Sequence, residues 1–278
     1  MATKSPTVRQ RRLGRELRQL REAAGLSSDA AATQLGWSRP KVSRIENART
    51  MPSTVDVADA CDLYGADSAI KAGLIQLCRD ASRRGWWTAY SDVFTGSYVA
   101  LEAEATSIRT WQPLLIPGLL QSEDYARAII QAARPGLAEV ELERRTDARM
   151  ARKINLLGST PTLHALIDES VLCRSVGPPE IMRRQLDDML QVAAWPNITI
   201  QVIPSAVGPH AGLEGPFTIL EFNEPDPAVG YVESQAGDVY VEAADQVRSL
   251  TLTIERLIQV ALSPEESVAF ITTFKERS

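Results

Sequence analysis

Only three residues, Gly36-Trp37-Ser38, separate two short stretches that both read as helix, SDAAATQL and RPKVSRIENA. The glycine stops the first helix. Ser38 can cap the second, and Pro40 is tolerated there because it falls in the first turn. A connection this short makes the two helices direct neighbours and fits a helix-turn-helix. Further helical stretches flank the pair. In residues 10–24, QRRLGRELRQLREAA, Leu13, Leu17 and Leu20 recur at helical spacing, with arginines on the other faces and Gly25 as the stop. Ser27 can cap the segment that ends at Gly36. Ser53-Thr54-Val55-Asp56 opens a fourth helix reaching about Tyr64-Gly65, although Asp is a poorer third partner for a capping box than Glu or Gln. A fifth runs from about Ser68 to Ser82. Residues 1–82 therefore read as an all-α helix-turn-helix bundle.

The second helix of the close pair carries the chemistry that a groove of double-stranded DNA requires. Val42 and Ile45 face inward at i,i+3, which leaves Arg39, Lys41, Ser43 and Arg44 on the surface. Arg can bond guanine O6 and N7 bidentately, and Lys or Ser reaches bases or phosphates. The same pattern also suits a solvated helix in a small bundle, so charge distribution enters the argument. The chain as a whole is acidic, with a formal net charge of −5, yet residues 1–60 carry 11 Lys+Arg against 6 Asp+Glu. Residues 61–278 carry 19 against 29. A basic head on an acidic body points to a polyanionic partner for the head.

The run GRELRQLREAAGLSSDAAATQLGWSRPKVSRIENARTMP resembles the Cro/cI-like helix-turn-helix family, also called the xenobiotic-response-element type. The shared pattern is Leu-Arg-x-x-Arg-x-x-x-Gly-Leu-Ser, a small Ala in helix two, then Gly-x-Ser-x-x-x-Val-Ser-x-Ile-Glu-Asn and a Pro. Where the family usually has Gln and Leu, this chain has Ser28 and Ala31. The resemblance implies a phosphate or base contact for Ser28 and groove-facing positions for Arg39, Ser43 and Arg44. It further implies backbone anchoring by Asn47 and a structural ion pair between Arg21 and Glu46. Lys41 and Arg49 join the DNA-binding set on charge and location alone.

Residues 83–100, with Trp86-Trp87, Tyr90 and Tyr98, read as a packed junction or aromatic core rather than a flexible linker. Residues 101–278 read as a larger α+β domain. Leu101, Ala105 and Ile108 lie at helical spacing, Pro113 and Pro117-Gly118 break the chain, and Ser122 can cap another helix. Residues 138–156 form a charged amphipathic helix in which Val140, Leu142, Met150 and Ile154 are only partly periodic. TLHALID, ITIQVIP, PFTILEF, VGYVES and DVYVEA are β-rich runs bounded by turn residues, about five strands. A helix separates the first two of them. A helix and a final capped segment from Ser263-Pro264-Glu265-Glu266 close the chain.

LEAEATSIRTWQPLLIPGLLQSEDYARAII, LHALIDESVLCRSVG, ITIQVIP, GPFTILEF and ALSPEES are similar to an actinobacterial regulator family. In that family a Cro/cI-like domain is joined to a C-terminal domain of unknown function. The resemblance implies an antitoxin-like regulator with a small partner protein encoded nearby. A homodimer is expected, because such proteins bind two half-sites, with the C-terminal domain as its seat. An alternative role for that domain is to sense a small molecule near His210, Phe217 and Tyr231.

Other classes find little support. No apolar run approaches a membrane span, and the basic start has no apolar core of a secretory signal. Cys61, Cys78 and Cys173 are scattered, which favours small buried thiols over a disulfide framework or a zinc site. A cytoplasmic location is expected, nucleoid-associated when DNA is bound. His164 alternates with Thr162 and Leu166 on one strand face and reads as structural. His210 sits in a Gly/Pro-rich loop with no Ser or Cys nucleophile at a recognisable spacing. Asp168-Glu169 reads as a helix N-cap and first-turn acid. Gly208, Gly212 and Gly215 lack the Lys-Ser/Thr of a phosphate loop. No enzyme, cofactor or metal is expected.

Overall fold

The computed structural model describes residues 8–82, 86–94, 98–154, 156, 161–224, 226–234 and 237–277. They divide into two compact units, Met1–Leu101 and Glu102–Ser278.

The first unit contains helices α1 (Val8–Ala23), α2 (Ser28–Leu35), α3 (Arg39–Glu46), α4 (Thr54–Leu63) and α5 (Ser68–Ala81). Local signals set their ends. Ser27 Oγ accepts from Ala30 N at 3.1 Å and Ser38 Oγ from Lys41 N at 3.3 Å. Gly36 turns the chain at φ 66°, a conformation that costs a residue with a Cβ but not glycine. Ser53 and Asp56 do form a reciprocal capping box, with Asp56 Oδ2 accepting from Ser53 N at 2.9 Å. The short Asp side chain reaches because Ser53 Oγ donates to the same oxygen, also at 2.9 Å. Leu13 and Leu17 of α1 pack with Ala31, Ile45, Val57, Ala60, Cys61, Tyr64, Leu74 and Cys78 to form the core, and Trp37 lies partly buried against it. Of the expected junction, residues 83–85 and 95–97 lie outside the described residues. Within it Trp86–Tyr90 form a 3-10 turn, and the Trp86 ring meets Trp87, Tyr90 and Phe94 edge-on at 6.1–6.4 Å.

In the second unit one sheet runs in the order β3-β2-β1-β4-β5-β6. Its strands are β1 (Ser107–Gln112), β2 (Thr162–Asp168), β3 (Ile198–Ile203), β4 (Phe217–Glu221), β5 (Val229–Ser234) and β6 (Gly237–Val241). β1, β2 and β3 are parallel, and β4, β5 and β6 continue antiparallel from the other side of β1. The sheet therefore has six strands rather than about five. The added one, SIRTWQ, lies at the centre, although Leu101, Ala105 and Ile108 place its start in a helical run. The preceding helix α6 (Tyr98–Glu104) ends at Glu104, before Ile108 is reached.

Trp111 of β1 stands opposite Leu166 on one side and Phe217 on the other. With Ile203, Ile219, Ile254 and Leu257 they form the core under α11 (Ala244–Val260). The Trp111 indole N–H donates to Gly212 O at 2.8 Å. A Cβ on Gly212 would come within 2.6 Å of that indole, so the loop before β4 needs glycine there. Helices α7 (Glu123–Ala133), α8 (Glu139–Ile154), α9 (Glu169–Cys173), α10 (Pro179–Val192) and α12 (Pro264–Arg277) complete the unit. Val140 and Ile154 of α8 are exposed while Leu142 is buried, which accounts for the broken periodicity of that helix. Cys61 and Cys78 are buried, but Cys173, expected to be buried, is exposed at the last residue of α9.

Candidate nucleic-acid interface

Val42, Ile45 and Ala48 turn the inner face of α3 and its exit into the core. The helical repeat then leaves Arg39, Pro40, Ser43, Arg44 and Asn47 on one exposed stripe, with exposed Arg49 following. Arg39 Nε lies 2.9 Å from Asp29 Oδ1 of α2, and both side chains are largely in solvent, so the contact is weak and easily exchanged for another anion. Asn47 Nδ2 donates to Ser43 O at 2.8 Å and to Ser43 Oγ at 3.3 Å, an internal brace along the stripe. Ser28 is the first residue of α2, where free backbone N–H groups favour an anion. Lys41 is placed differently. Its Nζ meets Asp56 Oδ1 of α4 at 2.5 Å and sits 4.1 Å from the centre of the Trp37 ring.

The stripe is held from behind. Arg21 of α1 forks onto Glu46, Nε to Oε1 at 2.6 Å and Nη2 to Oε2 at 2.9 Å, and its Nη1 donates to Leu26 O at 2.7 Å. Arg21 is buried, and the bond to Glu46 raises its pKa in spite of burial. Burial, followed by the charge of Glu46, pushes the nearby Tyr64 hydroxyl up to about 12. Gly14 lies on the same face of α1, one helical repeat before Arg21. A Cβ there would sit 2.6 Å from Ile45 O and 2.7 Å from Glu46 O, so only glycine lets α1 approach the end of α3 this closely. That end is a Schellman turn: Ala48 N donates to Ile45 O and Arg49 N to Arg44 O, with Ala48 at φ 55°. Sequence reasoning missed Gly14, whose reason for being glycine lies in residues 31 positions away, and Ala48, since this turn normally advertises itself with Gly.

The titratable residues singled out in the second unit are engaged in structural roles. His164 Nε2 lies 2.6 Å from Gln201 Oε1, and burial, then the charge of Arg109, pull its pKa down although the Gln201 bond opposes this. His210 Nδ1 accepts from Gly212 N at 3.1 Å, its ring edge-on to Trp111 at 5.3 Å. Asp168 caps α9 by accepting from Ser170 N at 2.9 Å, and Glu169 accepts from Ser205 N at 2.7 Å. Phe217 and Tyr231 do not share a site. Phe217 packs under α11, while Tyr231 stands opposite Thr218, one residue on and therefore on the other face. Among the described residues no cluster of three His, Cys, Asp or Glu could hold a metal ion, and no helix is long and apolar enough to cross a membrane.

Residues 12–71 match a family described as a helix-turn-helix domain, which supports a DNA-binding transcription regulator. No curated protein and no solved structure matches the chain. Residues 95–273 match a family described as a domain of unknown function (DUF5753), which takes in α6 and the whole sheet. With that match covering more than half of its length, the chain belongs to the DUF5753 family and carries a helix-turn-helix domain ahead of it.

Proposed function

We propose that the protein is a sequence-specific, antitoxin-like transcription regulator whose α3 enters the major groove of double-stranded DNA. Arg39, Ser43 and Arg44 face base edges in this reading, and Ser28, Asn47 and Arg49 face phosphates. Lys41, already tied to Asp56, contributes charge to the groove-facing field and steadies α3. The C-terminal unit holds two copies together and binds a small partner protein encoded nearby. The observation that carries the proposal is the exposed stripe of α3, polar or basic at every position but Pro40, backed by buried contacts that fix its position. The protein acts by binding rather than catalysis. Hydrogen bonds already made within the unit account for both histidines and the Asp168-Glu169 pair.

Binding to the protein's own promoter, followed by fluorescence anisotropy at two salt concentrations, tests this. Affinity falls steeply with salt as phosphates are neutralised. Arg39→Ala and Arg44→Ala each cost about 1–3 kcal/mol with the fold intact. Unchanged affinity in both variants would remove α3 as the reading helix. Sedimentation at micromolar concentration without DNA gives a dimer, and the neighbouring small gene's product shifts its mass.

A further inference from the structure

One face of α8 carries Arg145, Arg149, Arg152 and Lys153, and three of the four meet a carboxylate. Arg145 pairs with Glu141 at 2.7 Å. Arg152 forks onto Glu102 at 2.8 and 2.7 Å. Lys153 reaches Asp188 at 3.1 Å. Arg149 is the exception. Its Nη1 donates to Gln121 Oε1 at 2.8 Å, and that amide is its partner among the described residues.

The side chain is nevertheless recessed, not splayed into solvent. Burial, and next the like charge of Arg152, push its pKa down to about 10. Glu102 and Glu233 act on it only through space, and Glu102 is already spent on Arg152.

A recessed cation without a contacting anion is costly. An acceptor for the guanidinium N–H groups that Gln121 does not take would relieve that cost. The turn that carries Gln121 is braced by hydrogen bonds. Gln121 Nε2 donates to Ile116 O at 2.8 Å, and buried Gln185 accepts from Ser122 N at 2.7 Å and donates to Leu120 O at 2.8 Å. This turn follows β1, the strand on whose two sides the chain connections diverge, which is where open sheets with parallel strands place ligands.

We infer that the C-terminal unit binds a small oxyanion, a carboxylate or phosphate group, on the guanidinium of Arg149. The planar fork of Arg suits either group. This goes beyond the proposed DNA-binding role and stands or falls independently of it.

The experiment uses the full chain and two probes, inorganic phosphate and succinate, each compared with chloride at matched ionic strength. Unfolding midpoint and hydrogen exchange are the readouts. At least one probe raises the midpoint by about 3 °C or more and protects amides of residues 113–125. A response to phosphate alone assigns a phosphate ligand, and one to succinate alone assigns a carboxylate. Arg149→Gln abolishes the response without lowering the anion-free midpoint, because it removes an uncompensated charge. Arg149→Lys, which keeps the charge, raises the half-saturating concentration about tenfold or more. The Arg39→Ala/Arg44→Ala double variant responds like the parent, which separates this site from the DNA-binding helix. No response to either probe, or an undiminished response in Arg149→Gln, overturns the inference.

Discussion

Arg21 and Arg149 are two arginines sunk against helices in two different units, and they are solved in opposite ways. Arg21 meets both oxygens of Glu46 and a backbone carbonyl, so its charge is consumed inside the protein. Arg149 meets one amide oxygen, so its charge is left over. A fully answered cation behaves as a bolt. It locks the angle between α1 and α3, and removing either partner strands the other. An unanswered one contributes little to holding the fold and is available to something outside it. The difference separates a residue that positions a binding surface from one that can itself be a binding surface.

Glu46→Ala strips buried Arg21 of its bidentate partner, leaving it the Leu26 carbonyl and Glu22 at 3.6 Å, and costs the helical unit up to about 3–5 kcal/mol, read by denaturant unfolding followed through hydrogen exchange of residues 8–82. If Arg149→Met costs the second unit as much, the contrast between the two arginines collapses. Gly14→Ala tests the same α1–α3 seam without touching charge. Its methyl must displace two backbone carbonyls, at about 1–3 kcal/mol, outweighing the roughly 1 kcal/mol that Ala gains over Gly in a helix. Ser53→Ala removes the α4 cap, and a loss of about 1 kcal/mol confined to residues 8–82 is expected.

The gentlest probe is pH, which addresses the units separately. Hydrogen bonds from Lys41 and Ser53 outweigh burial and hold the Asp56 carboxyl below the usual range. Its stabilisation is complete above the ordinary carboxylate pKa and is lost as pH falls through the folded-state value. Burial lowers the His164 pKa below about 6.5, so the unfolded chain takes up that proton first. The second unit therefore weakens as pH falls from about 6.5, well before Asp56 responds. Asp56→Asn flattens the acid limb of the first unit, and His164→Gln flattens the milder limb of the second. Thermal unfolding at stepped pH shows whether the two limbs are separate.

The same contrast governs what the residues disclosed in advance. In the helical unit Ser27, Gly36, Ser38 and Ser53 act on backbone groups two to four positions away, so reading the chain locally finds every helix. The α3 stripe followed from the burial of Val42 and Ile45. What stayed hidden there was long-range: Gly14 against Ile45, and Lys41 against Asp56. In the sheet unit β2 to β6 declared themselves through apolar or alternating residues. β1 did not, because SIRTWQ is largely polar and its strand character comes from partners 55 residues away in β2 and 110 away in β4. Arg149 was one arginine among several on a charged helix. Only the tertiary pairing of its neighbours singled it out.

The central position of β1 also sets an order of events during synthesis. All pairings of the helical unit are complete once residue 82 is made, whereas β1 has no antiparallel neighbour until residues 217–221 exist. At about 5–20 residues per second the ribosome needs on the order of 7–30 s to cross that interval. Through that time the basic head is folded and able to engage DNA, and from its own synthesis onward Trp111 lacks the strand and helix that will cover it, so the exposed tail must be kept from aggregating until the sheet can close.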